Sequence, residues 1–196
     1  MVLCGNFLMK EKSSYSHKRG VTLVELLTVI AIMGVLAGLG YPSLRQAVMN
    51  NRTKDAALNT VAFLERVASE AERISGPICL KMNSQQKITA YKGTDITKVG
   101  DGDFVAELSL DAPMQFVTGN CGGLQQSGNW IDASNASTGK SVFWPRLGLS
   151  AAPLSGFVCV RYGNSSMYGA AIKEAGVNTI RPKINFDIVN GTWVDP

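Results

Sequence analysis

Histidine is almost absent from this chain: the only one is His17. A chain whose single imidazole lies in its first 20 residues has no His-based triad, no paired-His metal site and no His general base in its body. Aromatic residues are sparse, at 8%. Charge is missing altogether from residues 26–41, LLTVIAIMGVLAGLGY. No glycine-rich segment reads as a phosphate loop, because GNCGGLQQSG at 119–128 is not closed by Lys-Ser or Lys-Thr. Low-complexity tracts and internal repeats are also missing. These absences argue against an enzyme and imply no cofactor and no metal. Asp95, Asp101 and Asp103 lie close together, but their Gly-rich spacing reads as a solvated turn rather than a calcium loop.

The net charge of +4 misleads. Residues 1–20 hold Lys10, Lys12, Lys18 and Arg19 against Glu11, so from Val21 onward 15 basic side chains face 14 acidic ones. That balance gives no general footprint for nucleic acid. The early positive charges instead set topology. They stay cytoplasmic, which sends the C-terminal bulk across the membrane.

What is present is a long apolar run with one carboxylate near its start. Val21-Thr22-Leu23-Val24-Glu25 leads into the uncharged segment. Together they are long enough for a helix of about 20 residues to cross a bilayer core of about 30 Å. A carboxylate in such a helix costs at least about 2.5–3.5 kcal/mol on insertion scales, so it needs a partner. Cutting the chain between Gly20 and Val21 supplies one: the new α-amine of a neighbouring copy, packed slightly out of register, meets Glu25. An ordinary secretory signal is cut after its apolar core, near small residues. Here the basic, Gly-ending site comes before it.

These residues resemble the type IV prepilin signature shared by type IV pilins and type II secretion pseudopilins. Gly20 precedes the cut, Glu25 is the fifth residue after it, Gly34 lies mid-helix and Pro42 ends the apolar run. Val21 departs from the more usual Phe or Met. The resemblance implies cleavage after Gly20 by prepilin peptidase, N-methylation of Val21 and assembly through Glu25. It implies other pilin or pseudopilin subunits and an inner-membrane assembly platform as partners. The expected location is the inner membrane, as a single-pass protein with a periplasmic C-terminal domain, and then a pilus or pseudopilus.

The expected organisation is a leader over 1–20, a transmembrane and assembly helix over 21–42, an amphipathic helix over 43–76 and a β-rich periplasmic domain over 77–196. Gly34, Gly38, Gly40 and Pro42 mark either close helix packing or a point where the stem loosens in an assembled fibre. In the second half, Ala57, Val61, Leu64, Ala68 and Ala71 alternate at spacings of four and three, widened by Phe63, Val67 and Ile74. That stripe suits a helix packed on a sheet. Gly76-Pro77 marks its end. Strands are expected at 77–82, 87–92, 104–110, 114–118, 141–145, 156–162, 168–173, 177–181 and 183–189, with a loop over 119–140. The fold class is therefore α+β: a pilin-like long helix on an antiparallel sheet or sandwich. Trp130, Trp144 and Trp193 read as core or interface residues.

Once the leader is gone, Cys79, Cys121 and Cys159 remain. In an exported domain they allow one disulfide and one spare thiol. The segments 51–58, 68–73 and 77–80 are similar to the H-type pseudopilin (GspH) and FimT/FimU minor-pilin family. That similarity implies a Cys79–Cys121 disulfide, with either residue pairing to Cys159 as the alternative. It also raises DNA contact by a basic C-terminal segment, here Arg181 and Lys183 with Arg161 and Lys173 nearby. Residues 157–196 net only +1, which argues against nucleic acid.

Overall fold

A computed structural model describes residues 20–132, 142–145, 148–149, 155–174, 179–186 and 192–196. Residues 1–19 of the leader, with Cys4 and His17, and parts of the expected loop at 119–140 and strands at 141–145, 177–181 and 183–189, lie outside the described residues. The chain divides into two units, 1–43 and 44–196.

Helix α1 runs unbroken from Leu23 to Arg73 with Pro42 inside it. In residues 1–43 it is exposed on every side. In the second unit it buries one face. Ala57, Leu64, Val67 and Ala71 reach 0% exposure there. Of the expected stripe, Ala57, Val61, Phe63, Leu64, Val67 and Ala71 are buried and Ala68 and Ile74 half-buried, with Thr53, Ala56 and Thr60 added. Both hydroxyls donate to the carbonyl four residues back, Met49 O at 2.8 Å and Ala56 O at 2.7 Å, so their burial leaves no donor unpaired.

The helix stops in a way the sequence reading placed one residue late. Ser75, with φ of 51°, takes the left-handed conformation expected of Gly76. Gly76 N–H donates to Ala71 O at 3.2 Å and Ser75 N–H to Glu72 O at 3.1 Å. This pair of bonds is the Schellman closure.

Nine strands follow among the described residues: β1 Ile78–Ser84, β2 Lys87–Lys92, β3 Phe104–Ser109, β4 Met114–Val117, β5 Val142–Trp144, β6 Gly148–Leu149, β7 Gly156–Tyr162, β8 Tyr168–Lys173 and β9 Arg181–Asn185. They form two antiparallel sheets, in the orders β3-β2-β1-β5-β6 and β4-β7-β8-β9. The architecture is α+β and pilin-like. The short β6 was not foreseen, and β9 runs through Pro182, where a break was expected between strands at 177–181 and 183–189 whose outer parts lie outside the described residues. Pro182 fits there because β9 is an edge strand.

The main core joins α1 to both sheets through Leu64, Val67, Ile78, Leu80, Ile88, Phe116, Phe143, Val158 and Val160. Gly169 on β8 sets the closeness of one contact. A Cβ there would stand 2.9 Å from Thr53 O and 3.0 Å from Ala57 Cβ. Trp130, 2% exposed, packs edge-on to Phe143 at 6.5 Å. A satellite cluster of Cys121, Phe157 and Cys159 lies apart from that core.

The satellite cluster corrects the disulfide. Cys121 pairs with Cys159, at a Cα separation of 6.5 Å, and Cys79 is a buried free thiol. The Cys79–Cys121 pairing fails because the two residues belong to different places. Cys79 sits on β1 opposite Tyr91 and Val142. Cys121 lies against β7 of the other sheet, beside Cys159.

Candidate assembly site

Gly20 and Val21 are exposed, Val21 at 72%. Thr22 and Glu25 then start the helix reciprocally. Thr22 Oγ1 accepts from Glu25 N–H at 3.2 Å, and Glu25 Oε2 accepts from Thr22 N–H at 3.5 Å. This is a capping box, which satisfies two backbone donors that every helix start leaves over. Thr28 Oγ1 donates to Glu25 O at 2.9 Å. The sequence reading missed the role of Thr22, although Thr-x-x-Glu before an apolar run is its signal. The longer of the two bonds is at the limit of useful geometry, so the carboxylate is lightly held and open to another donor.

Beyond Glu25 the stem is apolar and uncovered. Leu26, Ile30, Met33, Leu36 and Leu39 are all more than half exposed. The helix is long and apolar enough to cross a membrane, and among the described residues none of that stretch is buried. An exposed apolar surface of this extent has to be covered by lipid or by other chains.

No other arrangement among the described residues offers comparable chemistry. No cluster of His, Cys, Asp and Glu there could hold a metal ion. Asp95 and Asp103 are occupied in their own turn. Asp95 Oδ1 accepts from Thr97 N–H at 2.9 Å and Thr97 Oγ1 at 2.6 Å, and Asp103 Oδ2 accepts from Gly100 N–H at 3.0 Å. The Thr97 hydroxyl and amide hold the Asp95 carboxyl below its ordinary range, with Lys98 adding to the effect. Burial pushes the Cys79 thiol up, and the nearby Asp95 and Asp103 charges push it further. An inert thiol results.

Arg181 and Lys183 share one face of β9. Arg181 is exposed, but Lys183 is ion-paired with Asp195 at 3.0 Å. Lys173 is 9% exposed on β8. The structure therefore gathers no free basic patch from Arg181, Lys183 and Lys173. Trp193 Nε1 donates to Gly122 O at 3.0 Å and packs on the satellite cluster. Trp144 stays 37% exposed.

Residues 15–41 match the family model of the prokaryotic N-terminal methylation motif. That match supports a type IV pilin-like or pseudopilin chain, of the class that prepilin peptidase processes and that assembles with other pilins. It spans the Gly20–Val21 junction, the capping box and the exposed stem. No curated protein and no solved structure matches the chain.

Proposed function

We propose that this chain is a minor pilin or pseudopilin: a non-enzymatic structural subunit, and a priming one, of a type IV pilus. Prepilin peptidase cuts between Gly20 and Val21, and the new amine is methylated. The processed chain waits in the inner membrane with its β-rich domain in the periplasm, then joins other subunits at the assembly platform.

The observation that carries this reading is the placement of Glu25. It stands at the start of a helix whose apolar surface none of the described residues covers. Cleavage would put a positive amine one residue before the Thr22 cap. The helix start is already the positive end of the backbone dipole. Amine and dipole together then draw a neighbour's carboxylate, and Glu25 of the next copy is the charge of the right sign. Pairing removes two charges that are each costly in lipid, so the arrangement favours assembly over solitary residence.

The test is expression with and without prepilin peptidase, followed by mass analysis of the protein's terminus. The expected product begins at methylated Val21 only when the peptidase is present. A terminus at Met1 in both cultures contradicts the reading. Deleting the gene is expected to remove surface pili and leave protein secretion intact. The reverse outcome assigns the chain to a type II secretion system as an H-type pseudopilin. Salt-sensitive DNA binding, lost on Arg181→Ala with Lys183→Ala, would instead mark a DNA-binding subunit of natural transformation.

A further inference from the structure

A cavity of about 450 Å³ opens where β7 begins and β8 ends, within residues 44–196. Its apolar wall is Leu124, Phe157 and Ile172, which also pack around the Cys121–Cys159 bridge. That wall is fixed in place. Trp130 N–H donates to Phe157 O at 2.9 Å and Asn129 Nδ2 to Val117 O at 2.6 Å, which ties the segment 124–130 to β7 and β4. Gly128 lies so close to Phe157 that a Cβ on it would stand 3.4 Å from the ring. A preformed, largely apolar cavity of this size suits a small organic molecule.

One side chain in the cavity has no counterpart. Lys173 ends β8, lines the cavity and is 9% exposed. Across the ladder stands Gly156, which has no side chain to cover it. A Cβ at Gly156 would fall 2.0 Å from Trp130 Nε1, so the gap beside Lys173 is built into the fold. On the other side the β8–β9 ladder stops one residue short, at Ile172 and Arg181. Lys173 makes no ion pair or hydrogen bond among the described residues. Glu174 also lines the cavity, but it lies past the end of β8 and is exposed, so water and salt screen its charge. A cation this buried attracts an anion more strongly than one at the surface, and without an anion its burial is costly.

We propose that this cavity binds a small organic monocarboxylate with an apolar body. The carboxylate sits on Lys173 and the body on Leu124, Phe157 and Ile172. One buried cation balances one negative charge. A phosphate would bring a second charge with no partner, towards Glu174. Ser127 and Ser155 also line the cavity and offer hydroxyl donors to the second carboxylate oxygen. This gives the β-rich domain a binding role that is independent of the stem and of assembly.

The test is calorimetric titration of the full-length protein, solubilised in non-ionic detergent, with phenylacetate. Saturable binding is expected, together with a rise in the thermal midpoint. Acetate, which lacks the apolar body, and phenethylamine, which reverses the charge, should each bind at least about tenfold more weakly. Lys173→Met should weaken phenylacetate at least about tenfold, Lys173→Arg should retain it and Glu174→Gln should strengthen it. Circular dichroism checks that the variants fold, and the ligand series on the wild type needs no variant. Several results overturn the inference: no saturable binding at millimolar phenylacetate, equal binding of acetate or phenethylamine, or undiminished binding by folded Lys173→Met. Binding confined to peptides that end in a free phenylalanine carboxylate also overturns it, and makes the cavity a dock for polypeptide ends.

Discussion

Ser75 ends α1 in a conformation that glycine adopts without penalty and a residue with a Cβ does not. The account predicts that Ser75→Gly stabilises the domain by about 1 kcal/mol, read as a shift in the chemical-denaturation midpoint of the detergent-solubilised protein. Gly169 gives the opposite case, because any side chain there meets the helix backbone and Ala57. Gly169→Ala is expected to cost about 1–3 kcal/mol in the same measurement, from overpacking between α1 and β8. At this scale the sequence was legible where chemistry is local. The Gly-Pro pair placed the helix end to within a residue or two. It put the left-handed turn at Gly76, one residue late, since the position depends on how Gly76 N–H meets Ala71 O. Thr53 and Thr60 escaped a reading based on apolar periodicity because their hydroxyls are satisfied by their own helix and bury at little cost.

Elements with a clear period were read closely. The helix was expected in two halves, over 21–42 and 43–76, and runs Leu23–Arg73, and β2, β7 and β8 match the expected ranges. β6, two residues long, carries no period to detect. The disulfide lay beyond this kind of reading, because strand pairing across two sheets decides which cysteines meet. Peptide mapping of the unreduced protein is expected to find the Cys121–Cys159 link, and a Cys79–Cys121 link would contradict the fold. Replacing both Cys121 and Cys159 with Ser should cost about 2–4 kcal/mol, since the bridge closes a loop with a sequence separation of 38. Cys79 gives a pH prediction. Its thiol titrates higher in the folded chain than in the unfolded one. The unfolded chain then releases its proton first as pH rises, so stability falls from the ordinary thiol range upward through the raised folded value. Cys79→Ala should flatten that alkaline fall. An equal fall in the variant would show that Cys79 is not its source.

At the scale of the whole molecule, function is written mostly in what the chain leaves uncovered. Residues 44–196 bury a core of their own, whereas the stem before them exposes nearly every apolar side chain it has. That contrast was readable in advance, because an uncharged run of membrane length needs no knowledge of the fold. The placement of Gly20, Val21 and Glu25 around it was equally plain. The system and the neighbours were not, since they depend on surfaces formed only when strands from distant segments come together. The measurement closest to the central claim compares sheared surface fibres from cells expressing wild-type protein and Glu25→Val. The account predicts wild-type chains in the fibre fraction, beginning at Val21, and Glu25→Val chains cleaved but retained in the membrane. Equal recovery of both in fibres, or recovery of neither, would contradict assembly through the Val21–Glu25 pair.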